Sequence, residues 1–268
     1  MTREPASGRH HAPLPHPGSD GPSPVPDGPR AGRRRTVAFL LLAVSALTYN
    51  DWLLQFLVPT GLDQANSYVS ETFAANQPHR VLFSGIELLC ACLLILAALC
   101  AYRDDQRTLA RAGWAAIVAF ASFSILDVLV PMQCAPSVDA QCAPVHAWHT
   151  TTSALVHVSL FASMVLFIAD ARAHGPRGPA GHLRVHRWGR WLLAFSLTAA
   201  VATVGPLLGH PGGQGVAQRL HLLSVGLWFL LLAGRTIPPG APAGPDSSGE
   251  PSGRWGRKWY GGRRGRCA

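Results

Sequence analysis

Charge is what this sequence has least of. Asp, Glu, Lys and Arg together make up 14% of the chain, where soluble domains carry about 25%. That deficit excludes an ordinary water-soluble globule and points to lipid as the solvent. Cysteine is sparse too. Six scattered residues are too few for a disulfide-built scaffold, and only Cys134 and Cys142 are placed to pair. There is no internal repeat and no basic face interleaved with aromatics. The formal net charge is +9, but the charges flank apolar runs, which excludes nucleic acid as a partner.

What is present is apolar sequence in long runs, 48% of all residues. Residues 1–32 are rich in Pro, Gly, His and Ser without periodicity, and they predict a disordered tail. His10, His11 and His16 in it read as solvated histidines. Arg33, Arg34 and Arg35 then precede an apolar run over 36–58, about one bilayer of helix at ~1.5 Å per residue. A basic start followed by AVSA also resembles a secretory signal. The apolar character continues to Val58 and further spans follow, so 36–58 is expected to be an uncleaved first helix. Other spans are expected at 80–102, 109–130, 146–169, 188–208 and 216–236. Residues 238–268 form a second disordered tail, basic enough to lie against anionic headgroups. The expected fold is all-α: a polytopic bundle of six transmembrane helices over 33–237, with the lipid bilayer as partner. No protein partner is indicated.

Orientation follows from the basic residues. Of the 23 Lys and Arg, all but Arg80 and Arg219 fall in the N-terminal tail, at 103–111, at 172–190, or from Arg235 onward. The positive-inside rule then places both termini in the cytoplasm of a plasma-membrane protein.

That orientation sets a common depth for the ionisable residues inside apolar spans, each a functional-site candidate because burying it in lipid is costly. Asp51, Glu87, Asp127, His149, His157 and His221 all fall in the outer half, with His146 at the mouth of the fourth span. At 100° per residue, His146, His149 and His157 share one helix face. Ser84, Ser124 and Ser224 each stand three residues from Glu87, Asp127 or His221. Two readings compete: interhelical hydrogen-bonding glue, or a pocket open to the outside. In the second, His149, His157 and His221 are the candidate ligands of a zinc ion. Glu87 is then the candidate general base, and Asp127 a ligand or the group orienting one. Cys134 and Cys142 lie in an outer loop where oxidation is favoured, and a bridge there would tie the third span to the fourth. Cys90, Cys92 and Cys100 read as small apolar fillers.

The loop residues SETFAANQPHR before the second span, Asp127 followed by Val-Pro and a cysteine, and His146 and His149 opening the fourth span resemble a bacterial six-span membrane family, domain of unknown function 998. The resemblance covers about residues 36–236 and implies a helical bundle without an assigned activity. More distantly, the chain is similar to the alkaline ceramidases and adiponectin receptors, membrane hydrolases with zinc held by three histidines beside a Ser and an Asp. It departs from them in having six spans and a lone His221 where they have two histidines four apart. Three functions are therefore expected to compete: a polytopic protein whose polar layer is structural or binds a lipid ligand, a metal-dependent hydrolase of a lipid or lipid-linked substrate, and a small transporter.

Overall fold

The computed structural model describes residues 29–143, 146–173 and 180–237. His10, His11 and His16, and most of both tails, lie outside them. Six long helices carry the described chain: α1 (Pro29–Thr48), α2 (Arg80–Asp104), α3 (Thr108–Leu129), α4 (Ala147–Ala173), α5 (Ala180–Ala202) and α6 (Gln214–Thr236). Three short 3-10 turns accompany them: η1 (Asp51–Phe56), η2 (Val69–Phe73) and η3 (Gly205–Leu208). Consecutive helices are neighbours and α6 returns to α1, so the helices close into a ring.

The sequence explains where the helices stop. Pro131 disfavours helical backbone in the residue before it, and Val130 accordingly leaves the helix at φ −116° and ψ 65°. α1 starts earlier than expected, at Pro29, because Arg33–Arg35 are good helix formers and continue the helix outward. It also ends earlier. At Asn50 the backbone turns out of the helix, the Asn50 side chain donates to the Ala46 carbonyl at 2.9 Å, and the chain resumes as η1. The expected continuous helix over 36–58 is therefore broken near its outer end. The break is fixed by close packing: a Cβ on Gly226 of α6 would stand 2.3 Å from Asn50 Nδ2.

Among the described residues, five segments are long and apolar enough to cross a membrane: 30–56, 80–104, 108–129, 147–173 and 214–236. α5 falls short of the others because its first half, AGHLRVHRWGRW, is polar. It begins at Ala180 instead of 188, and it ends at Ala202 with the chain turning through η3 at Pro206. Leu47, Val81, Leu96, Val158 and Val165 face outward and are more than half exposed, the distribution expected when lipid is the solvent.

The centre of the ring is filled with aromatics. Tyr49, Phe120 and Phe229 form a triangle with ring centroids 5.5–5.7 Å apart, and Trp114 meets Phe167 edge-on at 4.8 Å. This plug separates two polar ends. At one end, the loops before α2, between α3 and α4, and before α6 lock into a cap. Ala75 N–H donates to Met132 O at 2.9 Å, and Tyr68 Oη donates to Thr203 O at 2.6 Å. Cys134 and Cys142 are joined by a disulfide in this cap.

Candidate functional site

Beneath the cap lies a chamber of about 80 Å³. Asp51 from η1, Glu87 from α2, Ser124 and Asp127 from α3, His157 from α4 and His221 from α6 all line it. Each comes from a segment whose other faces are apolar, so turning these side chains inward spares them the cost of facing lipid. Ser124 hydrogen-bonds to Glu87. Tyr49, the upper corner of the aromatic plug, also lines the chamber. Among the described residues, no Arg or Lys stands on its wall. Arg219, the nearest basic residue along α6, is committed elsewhere. Its guanidinium donates to the Gln64, Ser67 and Gly215 carbonyls at 2.6–3.1 Å and to Gln55 Oε1 at 2.5 Å.

Asp127 is the hub. Ser153 Oγ donates to both of its oxygens at 3.0 and 3.1 Å, and the Thr152 hydroxyl donates to Oδ1. His149 Nδ1 stands 3.2 Å from the same oxygen. His149 faces a second and larger cavity of about 650 Å³, a vestibule that shares Ser70, Ser153, His157 and Gln218 with the chamber. His146, Glu71, Ser137 and Pro206 also line the vestibule. Glu71 braces it, accepting from Tyr68 N–H at 2.9 Å, Ser137 N–H at 2.9 Å and Ser137 Oγ at 2.5 Å. Burial first, and then the Glu71 charge, hold the Tyr68 phenol above its ordinary pKa, so it remains the donor to Thr203. In the same loop Asp63 is held below the usual carboxylate range, mainly by its bond from the Asn66 side chain.

The proposed zinc ligands do not converge. His157 and His221 stack with ring centroids 4.9 Å apart and planes 16° from parallel. Imidazole lone pairs lie in the ring plane, and two nearly parallel planes share no nearby point where one ion could sit. Each ring is also held at Nδ1, His157 by Ser153 O at 2.7 Å and His221 by Ser196 Oγ at 2.9 Å. His149 belongs to the vestibule and its Asp127 partner. The set His149, His157 and His221 therefore does not fit a tetrahedral zinc as arranged. Among the described residues, the one group of three whose ligand atoms lie within 4.8 Å of one another is Cys134, Cys142 and His146. Ser84 and Ser224 line neither cavity; Ser224 Oγ donates to the His221 carbonyl at 2.6 Å.

The opposite end of the bundle holds a second ionisable cluster. Asp170 near the end of α4 is fully buried. Arg235 reaches its Oδ2 at 2.9 Å, Arg107 at 3.2 Å and His182 at 3.8 Å. Arg235 also holds Asp105 at 2.7 Å, and Arg34 holds Asp104 at 2.5 Å. Each of these acids stands within a turn of a helix end, where an isolated charge reads as interfacial. The available signal was Asp170 lying opposite three Arg-rich termini. Gln218, Ser153 and Glu71 were missed for a related reason, since a polar residue in a loop or near the start of a helix is unremarkable until the fold places it against a cavity.

No curated protein and no solved structure matches the chain. A family model matches residues 36–235, which span all six helices. The chain belongs to that family, described as a protein of unknown function, DUF998.

Proposed function

We propose that this multi-pass membrane protein, in the plasma membrane with both termini cytoplasmic, binds a ligand carrying a cationic head in the acid-and-histidine chamber. The vestibule takes the remainder of that ligand, which is a lipid or lipid-linked molecule. One observation carries the reading: three carboxyl groups, Asp51, Glu87 and Asp127, share a cavity that, among the described residues, no Arg or Lys lines. A buried carboxylate is costly without a cation beside it; Asp127 has His149, and a ligand cation would supply the partner for Asp51 and Glu87. The chamber is roomy enough for several waters or one small headgroup. The aromatic triangle below it favours binding over passage, because a transporter of this size needs a route past Tyr49, Phe120 and Phe229.

The test is thermal stability of the detergent-purified protein with short-chain phospholipids. Ethanolamine and choline headgroups should raise the melting temperature, phosphatidylglycerol should not, and Glu87→Gln with Asp51→Asn should abolish the difference. Equal shifts for all three headgroups, or none, would reject the reading.

A second reading is hydrolysis, and the Asp127–His149 pair favours it. With Nδ1 beside the carboxylate, His149 has its other ring nitrogen available to take a proton from a water in the vestibule. The distant likeness to the alkaline ceramidases points the same way. Release of fatty acid from a lipid amide or ester, lost in His149→Ala, would establish it. In this reading Glu87 binds the substrate head rather than acting as base.

A further inference from the structure

The cap contains a cluster that neither reading uses. Cys134, Cys142 and His146 place one ligand atom each within 4.8 Å of the others. We propose that these three residues form a redox-controlled metal site: closed while the cysteines are bridged, and a binding site for one zinc-like divalent ion once a dithiol reduces them.

The geometry is the first support. Zinc binds thiolate sulfur at about 2.3 Å and imidazole nitrogen at about 2.0–2.1 Å in tetrahedral arrangement. The sulfur-to-nitrogen edge of such a site is about 3.6 Å. Cys142 Sγ stands 3.5 Å from His146 Nε2, so that edge already exists in the bridged state. The two sulfurs need to part only to about 3.8 Å, and a Cα separation of 5.8 Å allows this by side-chain rotation.

The second support is that the loop does not depend on the bridge for its shape. Ala135 is fully buried and its N–H donates to Asn76 Oδ1 at 3.2 Å. Ser137 is held by Glu71 through both its N–H and its hydroxyl, and Ser67 Oγ donates to Ser137 at 2.8 Å. Val138 and Asp139 turn back onto the Ala135 carbonyl, and Cys142 N–H donates to Asp139 O at 3.0 Å. His146 is fixed where its carbonyl accepts from Thr150 at the head of α4. After reduction the two thiols therefore stay beside the imidazole, and little ordering entropy opposes metal binding.

A dithiol donates two electrons and two protons to the disulfide and is itself oxidised to a disulfide. The ion then displaces one proton from each thiol and takes the neutral imidazole as third ligand. Its fourth position is left to water or to a donor in the vestibule, which His146 lines. The cap would thus add a Lewis acid to the rim of the cavity only under reducing conditions.

Cobalt(II) serves as the probe. The full chain in detergent is reduced with dithiothreitol, desalted without oxygen and titrated. The expected result is one equivalent bound with thiolate-to-cobalt charge-transfer absorption in the near ultraviolet, and with displacement by zinc. The unreduced protein should bind at least tenfold more weakly, as should reduced His146→Ala and the Cys134→Ser variant. Circular dichroism and melting of each variant establish that the bundle is folded. Cobalt binding equal in reduced and unreduced protein, no binding to folded reduced protein, or binding indifferent to His146→Ala would overturn the proposal.

Discussion

Asp170 and Asp127 are both carboxylates in the interior of an apolar bundle, and they are treated in opposite ways. Asp170 meets two guanidiniums and an imidazole, and the acids around it are paired with arginines drawn from α1, α6 and the α2–α3 turn. Asp127 meets two hydroxyls and an imidazole, and its neighbours Asp51 and Glu87 face a cavity lined, among the described residues, by histidines but by no Arg or Lys. The first arrangement is matched charge for charge: its ion pairs join separate segments, beside a cavity of about 140 Å³ that Asp105, Arg107, His182 and Arg235 line. The second is matched by donors that can reorient, beside a cavity that no Arg or Lys of the described residues lines. A charge matched by fixed charges holds structure, and a charge matched by hydroxyls beside a cavity is available to a ligand.

The sharpest way to break the comparison is to ask which end faces which side. If the paired end is cytoplasmic, alkaline phosphatase fused after Gln141 is active and the same enzyme fused after Arg177 is inactive. This is an all-or-none readout. The reverse pattern would put the open chamber inside the cell and remove the extracytoplasmic reading altogether.

Next in size is the stability contrast. Asp170→Asn and Arg235→Ala each leave a charge in a buried network, at a cost of roughly 3–5 kcal/mol. Glu87→Gln keeps a hydrogen-bonding partner for Ser124 and should change stability by about 1 kcal/mol or less. Melting in detergent reads both. Equal losses at the two ends would mean that the chamber carboxyls are structural too, and the distinction drawn from their partners would fall.

How much of this was legible in the sequence follows from what each signal depends on. Spans α2, α3, α4 and α6 were readable to within a few residues because the apolar runs are long and closed by Pro131, by Arg103–Asp105 or by glycines. The break in α1 was not, since it depends on Gly226 of another helix approaching Asn50. α5 is intermediate, because half of its length is polar and its place comes from packing between α4 and α6. Asp51, Glu87, Asp127, His157 and His221 stood out because an ionisable residue inside an apolar run is rare, and they line one chamber. The grouping of His149, His157 and His221 as ligands needed ring orientations, which periodicity does not carry. Asp170 escaped notice because partners at positions 107, 182 and 235 are visible only in three dimensions.

The finest test of the paired end is its response to acid. His182 stands ahead of the apolar part of α5, facing Asp170, Asp105, Arg107 and Arg235. Burial is the largest influence on it. Together with the Arg235 and Arg107 charges it outweighs the two acids and pushes the imidazole from its ordinary 6.5 down to about 4. Between those values the unfolded chain binds a proton that the folded bundle refuses. His182 therefore contributes fully to stability above about pH 6.5, and that contribution is lost progressively as pH falls toward 4. The slope from one such group is at most about 1.4 kcal/mol per pH unit. His182→Gln removes the titrating proton, so its melting temperature should decline less than that of the wild type between pH 7 and pH 4.5. The two curves should converge as the pH drops. Parallel curves would show that Asp170 and Asp105 balance the arginines at this position, and that the paired end is neutral to the proton.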